Sequence, residues 1–322
     1  MTAAHPSVSP SPTVGAIRRR GYLRLGVSTG IRGLSWTDAA GVRRGLDVDT
    51  GRAVAAALLG DPGRTEYTEV DPEDRIPALA SGVIDLLACN ATWTFSREFG
   101  AGAAFVLTTC YDEGAILVRR DSGIASADDL DGHTLGMCEG TSSEEALRAW
   151  FGPRGLTVRC ELYASPASAL AAYIDGEVAG YAADGVVVAG ERTRLEAPND
   201  HIVLPERVSL EPMGPVVRDD DPQWAKVVRW VLFALIAAEA AGITSHQVRE
   251  GTAEDFPLVK GQSRLAAMAG LHPRWISAVI GGVGNYGEIY ERNLGDASGL
   301  CVPRGYNELW LRGGLMYAPP LV

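Results

Sequence analysis

The sequence is poor in the residues that mark metal sites and many enzymes. Its five cysteines (Cys89, Cys110, Cys138, Cys160 and Cys301) are odd in number and widely spaced. None falls in a C-x-x-C pair, so neither a zinc site nor a dithiol redox centre is signalled. Five histidines, His5, His133, His201, His246 and His272, form no metal-spaced pair, and neither metal nor cofactor is expected. Basic residues are outnumbered: 29 Lys and Arg stand against 40 Asp and Glu, for a formal net charge of −11 and a pI near 5.0. A nucleic-acid partner needs a basic face and is not expected. Apolar runs are short, and the longest candidate, Trp230–Ala238, falls well below membrane-spanning length. Walker, G-x-S-x-G, H-E-x-x-H and EF-hand patterns are missing. Gly282–Gly287 formally satisfies G-x-G-x-x-G, but Pro273–Ile280 before it reads as a helix, not the strand that a dinucleotide site requires.

The first 15 residues are rich in Ser, Pro, Ala and Thr, with no apolar h-region and no lipid-anchor cysteine. Read as written, they are a flexible tail on a cytoplasmic protein. A truncated start would instead make the protein periplasmic or otherwise extracytoplasmic.

What is present is strand–helix alternation. The 322 residues, 46% hydrophobic and 21% charged, have the composition of a soluble globular chain of about two domains. A short basic helix is expected over Ala16–Arg20 and a strand over Leu23–Val27. Gly45–Asp49 leads into a helix over Arg52–Leu59, and Glu66–Val70 reads as a strand. Asp71-Pro72 supplies a cap and a first-turn proline for a helix that stops at Gly82. Then comes Ile84–Arg97, an apolar strand ending in a hydroxyl-rich loop and an arginine, placed where open α/β sheets hold ligands. Alternation restarts at Thr134–Cys138, after which Ser142 and Glu145 have capping-box spacing. It continues through a strand at Leu156–Tyr163, a Ser165-Pro166 helix start, and a strand at Val178–Ala183 leading to Asp184. Asp221-Pro222 caps the strongest apolar helix, Gln223–Ala241. Two lobes joined by two extended crossings are implied.

Five ordered stretches carry a family resemblance: Gly45–Ala55, Asn90–Arg97, Glu211–Arg218, Val283–Arg292 and Gly314–Pro320. In these the chain resembles the extracytoplasmic, ABC-type solute-binding proteins for polar amino acids (family 3-like), above all their general L-amino-acid-binding branch. The resemblance implies an α/β, bilobal, periplasmic-binding-protein-like (type II) fold, with two parallel-sheet lobes, a hinge and an extended C-terminal tail. It places lobe 1 at 16–118 and 215–322, lobe 2 at 119–214, and the flexible tail at 1–15. It implies binding of a free, polar L-α-amino acid in the interlobe cleft, with an ABC transporter permease as partner if the protein is exported.

Carried over residue by residue, Arg97 matches the arginine that forks onto the ligand α-carboxylate. Thr92 matches a hydroxyl beside it, and Asn90 the strand-end position. Gly140-Thr141-Ser142 matches the turn whose amides and hydroxyls hold the same carboxylate at a helix start. Asp184 matches the acid that receives the α-ammonium, and Cys138 stands where the family contacts the ligand side chain. Helix capping explains Thr141, Ser142 and Asp184 equally well. Trp36, Trp93 and Trp150 are candidates for the ligand or for the core. Leu34, Leu46, Ile76 and Ile116 replace the family's aromatics. Gly136 and Val178 replace a pair of second-lobe cysteines, as a cytosolic protein would show. The alternative function is a cofactor-independent, dehydratase-like lyase on the same cleft, with Glu139 and then Glu113 as the first candidate acids and Asp112 and Cys138 as further candidate acids or nucleophiles.

Overall fold

A computed structural model describes residues 11–100 and 102–321, so most of the expected tail lies outside the described residues. Where the tail was expected to run on to Gly15, a helix already spans Pro12–Arg20. Ser11 caps it by accepting from Val14 N at 3.1 Å, and Val14 and Ile17 are buried. The helix starts ahead of Ala16 because its cap and its apolar face do.

Two sheets organise the rest. β1 (Leu23–Val27) is followed by a hairpin, β2 (Trp36–Thr37) with β3 (Arg43–Arg44), and then by β4 (Thr65–Glu69), β5 (Leu86–Leu87) and β6 (Ala103–Phe105). The second sheet holds β7 (Cys110–Arg119), β8 (Thr134–Cys138), β9 (Arg159–Tyr163), β10 (Gly180–Asp184), β11 (His201–Val203) and β12 (Ser209–Met213). β13 (Val216–Arg218) returns to the first sheet. Strand order is β4-β1-β5-β13-β6 in one and β11-β7-β10-β8-β9 in the other, with β12 on β7. The fold is α/β and bilobal.

Each sheet is mixed rather than wholly parallel. β1 pairs parallel with β4 and β5, and β8 with β9 and β10. β7 and β13, which carry the chain between sheets, pair antiparallel with their neighbours. A crossing strand arrives from the other lobe, not through a βα unit, and runs against the strands it meets. The first boundary expected from the sequence falls at the end of β7, whereas the pairing puts all of β7 in the second sheet. On the way back, the pairing changes sheets between Met213 and Val216.

The two crossings lie side by side. Thr109 N donates to Met213 O at 2.8 Å, and Val106 N to Pro215 O at 3.2 Å. A Cβ on Gly214 would stand 2.0 Å from Leu107 O, so the approach admits only glycine. The C-terminal segment buttresses the first crossing. Asn307 accepts from Tyr111 N at 2.6 Å and donates to Tyr111 O at 2.8 Å, and the Tyr286 hydroxyl donates to Thr109 O at 2.9 Å.

Local starts differ from the expected ones in two places. The helix Leu46–Leu59 begins at Leu46 rather than Arg52, because Gly45 passes within 1.9 Å of Leu34 O at its would-be Cβ and turns the chain there. Asp71-Pro72 opens a turn, Asp74 N to Asp71 O at 3.0 Å, and the helix proper is Arg75–Ala80. Leu34, Leu46 and Ile116 are core residues. Gly136 and Val178 are neighbours, a Cβ on Gly136 lying 3.1 Å from Val178 Cγ2. Among the described residues the five cysteines are unpaired, and no helix is long and apolar enough to cross a membrane.

The apolar helix Pro222–Ala240 packs in the core of the first lobe. Its cap, Asp221, accepts from Trp224 N at 3.0 Å and also from Ser11 Oγ at 2.6 Å and Thr13 N at 3.0 Å, tying two helices together. Burial alone would raise its pKa, but these bonds outweigh burial and hold it below the usual carboxylate range. A depressed folded-state pKa stabilises the fold above the unfolded value and is lost as pH falls through the folded one. Asp221→Ala should therefore cost about 1–3 kcal/mol at neutral pH in urea unfolding. The gap to wild type should narrow in acid.

Candidate functional site

The loop after β5 carries the site from a bent backbone. Asn90 adopts φ 47°, a left-handed value that asparagine tolerates better than most residues. Its backbone N donates to Asp47 Oδ2 at 2.8 Å. Its side-chain oxygen accepts from Ser28 Oγ at 2.8 Å and from Arg75 Nη2 at 3.0 Å. Its Nδ2 reaches across the cleft to Asp184 Oδ2 at 2.9 Å. Asp184 stands at the start of the helix Gly185–Arg192, yet its carboxylate turns to Asn90 rather than to the helix N–H groups. Its place in the cleft, not capping, accounts for it.

Two more contacts join the lobes. Ser142 Oγ donates to Glu211 Oε2 at 3.0 Å and meets Thr92 Oγ1 at 3.3 Å. The expected capping box with Glu145 therefore does not form at the head of the helix Ser143–Phe151, because the hydroxyl is engaged elsewhere. Arg97, in the short helix Phe95–Gly100, donates to Thr92 O at 3.0 Å and across the cleft to Gly140 O at 3.3 Å. Thr141 folds back to donate to Cys138 O at 2.8 Å, and the Cys138 thiol donates to Glu139 O at 3.3 Å. Asn90, Thr92, Arg97, Ser142 and Asp184 are thus drawn into one interlobe constellation.

The two candidate acids fare differently from these. Glu113 follows buried Asp112 on β7 and faces the opposite way. It pairs with Arg207 at 2.6 Å, so alternation leaves Asp112 as the inward carboxylate of that strand. Glu139 is half-buried beyond the end of β8, its backbone N donating to Tyr163 O at 2.9 Å. Of the tryptophans, Trp93 stacks on Phe105 and donates to Glu98, and Trp150 packs on Phe151.

Three residues that sequence reasoning left unassigned, Asp47, Arg75 and Glu211, complete the cleft together with Asp112, which it weighed only as a candidate acid. Arg75 is 8% exposed, and its Nε has no hydrogen-bond partner among the described residues. It was hidden inside a stretch legible only as a helix. Asp47 and Glu211 lie within stretches that carried the family resemblance, and that was their only signal.

The electrostatics follow from burial. Asp47 is pushed up to about 7 by burial, against the Asn90 N–H bond and the nearby Arg75 charge. Burial also raises Asp112, further raised by Asp184. Asp184 is raised by burial, with Glu211 adding to it and the Asn90 bond and the two arginines opposing. Burial lowers Arg97, and Arg75 lowers it further. The Cys138 thiol is pushed up to about 11 by burial, with Arg75 opposing, which makes it a weak polar contact rather than a nucleophile. The arrangement presents a fixed cation from one lobe and a carboxylate from the other.

Residues 23–245 match the bacterial extracellular solute-binding proteins, family 3. The chain is 38% identical to the general L-amino acid-binding periplasmic protein AapJ of Rhizobium johnstonii, covering 99% of this chain and 95% of that one. It is 37% identical to the glutamate/glutamine/aspartate/asparagine-binding protein BztA of Rhodobacter capsulatus, covering 99% and 96%. In structure it is similar to an ABC transporter/periplasmic binding protein from Brucella ovis with glutathione bound, with a TM-score of 0.92, 37% identity, and 96% and 99% of the two chains covered.

Asp184→Asn keeps an acceptor for Asn90 Nδ2 and removes a buried charge. A carboxylate whose folded pKa is raised costs stability above that pKa, and the cost is relieved as pH falls through it. The variant should therefore unfold at an equal or higher midpoint at neutral pH, its advantage fading in mild acid. A lower midpoint at neutral pH would contradict this account of Asp184.

Proposed function

The chain belongs to the bacterial extracellular solute-binding proteins of family 3, and from that premise we propose that it binds a free polar L-α-amino acid between its lobes. It would act outside the cytoplasmic membrane and present the ligand to an ABC transporter permease. The observation that carries this reading is the pairing of Arg97 and Asp184 on opposite sides of one cleft, both tied to the loop around Asn90. A guanidinium fork suits a carboxylate, and a carboxylate suits an ammonium. Holding both ends of a zwitterion requires the lobes to close. The turn Gly140–Ser142 opens the helix Ser143–Phe151, whose free N–H groups add donors for the α-carboxylate. In this reading lobe 1 is 11–109 with 215–321 and lobe 2 is 110–214, which keeps both the helix Pro12–Arg20 and β7 whole.

Arg75 narrows the ligand class. A buried guanidinium nitrogen without a partner is costly unless the ligand supplies an acceptor. A side chain ending in a carboxylate or an amide oxygen would do so, with Cys138 nearby. The Rhodobacter relative is named for ligands of that kind. The lyase reading lacks any comparable support, since Glu113 is committed to Arg207.

Calorimetry with a panel of free amino acids tests the proposal. Charge-assisted bonds contribute roughly 1.5–3 kcal/mol each, so Arg97→Ala should weaken binding at least tens of fold. Unchanged affinity would sink the clamp. Arg75→Met should weaken glutamate or glutamine far more than alanine; equal losses would remove Arg75 from side-chain recognition. Affinity should also fall as pH drops below neutrality, before the ordinary carboxylate range is reached. Asp184 must be ionised to hold the ammonium, and its pKa is raised.

A further inference from the structure

We propose that lobe 1 carries a second binding site, for a small multivalent oxyanion such as phosphate or a dicarboxylate. It is the arginine-lined pocket between the β2–β3 hairpin and the helix Tyr286–Asn293. The cavity is about 450 Å³, and Arg32, Arg44, Arg52 and Arg292 line it together with Asp38 and Asp49. In a chain of net charge −11, such a concentration of arginine is not background.

The charges do not cancel within the pocket. Asp38 is matched to Arg44 at 2.5 Å. Asp49, 4% exposed, accepts from Arg292 at 2.7 Å and from Asn293 Nδ2 at 2.8 Å, and Arg52 stands off at 3.5 Å. Arg32 pairs with no carboxylate among the described residues; it donates only to Thr193 Oγ1 and Ser298 O, each at 3.3 Å. Four guanidiniums against two carboxylates leave two positive charges facing one cavity (4 − 2). A dianion fits that surplus, and guanidinium forks match the planar oxygens of carboxylates and phosphates.

A purely structural role accounts for part of this cluster. The Asp49–Arg292–Asn293 contacts pin the C-terminal segment to the helix Leu46–Leu59. They do not neutralise Arg32, which bonds Thr193 and lies over the Trp36 ring without a carboxylate, and they leave Arg52 only loosely held, 3.5 Å from Asp49. Two of the stretches picked out in the sequence, Gly45–Ala55 and Val283–Arg292, meet here through Asp49 and Arg292, neither of which belongs to the cleft. Five of its twelve lining residues, from Gly282 to Ser298, lie beyond the 23–245 segment that matches the family model. None of its residues belongs to the cleft constellation, so the inference stands apart from the amino-acid reading.

The test is calorimetric titration of the full chain with inorganic phosphate and, separately, with succinate. The same titrations are run on Arg32→Gln, Arg52→Gln and, as a control for cleft binding, Arg97→Ala. One or both anions should bind, with affinity roughly tenfold or more weaker in the two pocket variants and unchanged in Arg97→Ala. Which anion binds identifies the class. If either pocket variant fails to fold, Arg44→Gln, whose side chain is half exposed, replaces it. No heat with either anion at millimolar concentration would overturn the proposal. So would equal affinity in the pocket variants, or a loss confined to Arg97→Ala.

Discussion

The Asn90 carboxamide is the contact on which the cleft depends. A single side chain accepts from Ser28 and Arg75 in lobe 1 and donates to Asp184 in lobe 2, while its backbone N is held by Asp47. It can serve these partners only because its backbone sits at φ 47°, which turns the side chain toward the second lobe. Valine or isoleucine there would be sterically strained and would offer none of these side-chain bonds. Four segments distant in sequence are thereby held in one geometry, and the loop that carries Thr92 and Arg97 starts from that fixed point.

Around this hub the protein buries charge of both signs. Arg75 and Arg97 stand against Asp47, Asp112, Asp184 and Glu211, and burial shifts Asp47, Asp112 and Asp184 upward because each is stripped of water. Such a cluster is a poor source of stability. It is a good recognition surface, since a zwitterion with a polar side chain brings the opposite charges that the groups lack. The stability comes from elsewhere: from the apolar core around the helix Pro222–Ala240, and from the C-terminal segment that grips the first crossing through Asn307 and Tyr286. The crossings themselves run hydrogen-bonded side by side, down to the missing side chain of Gly214. Lobe movement therefore has to be absorbed by these two paired strands.

The legible features were those with local causes. β1 falls on Leu23–Val27 because its apolar run is bounded by Gly and polar residues, and Ser165 and Asp221 cap their helices as their positions beside proline imply. Ser142 and Asp184 also sit at helix starts, but there the local expectation failed. Each side chain found a partner far along the chain, Glu211 for one and Asn90 for the other, and the helix N–H groups lost the competition. Arg75 was illegible for a related reason: within its own stretch nothing separates an inward arginine from a solvated one.

By itself, the amino-acid sequence determined the alternating α/β pattern, the position of the Asn90–Arg97 loop after β5, and the residue types proposed for the two ends of the clamp. Those follow from periodicity, turn chemistry and ordered motif matches, which act over a few residues at a time. Only the tertiary structure decided that both sheets are mixed, that β7 pairs wholly within the second sheet, and that Asp112 rather than Glu113 faces inward. It also decided that Asp49 and Arg292 meet at a pocket whose lining shares no residue with the cleft. Strand direction, facing and long-range ion pairs depend on which segments meet in space. That choice is made by burial of the whole chain, not by any window of it.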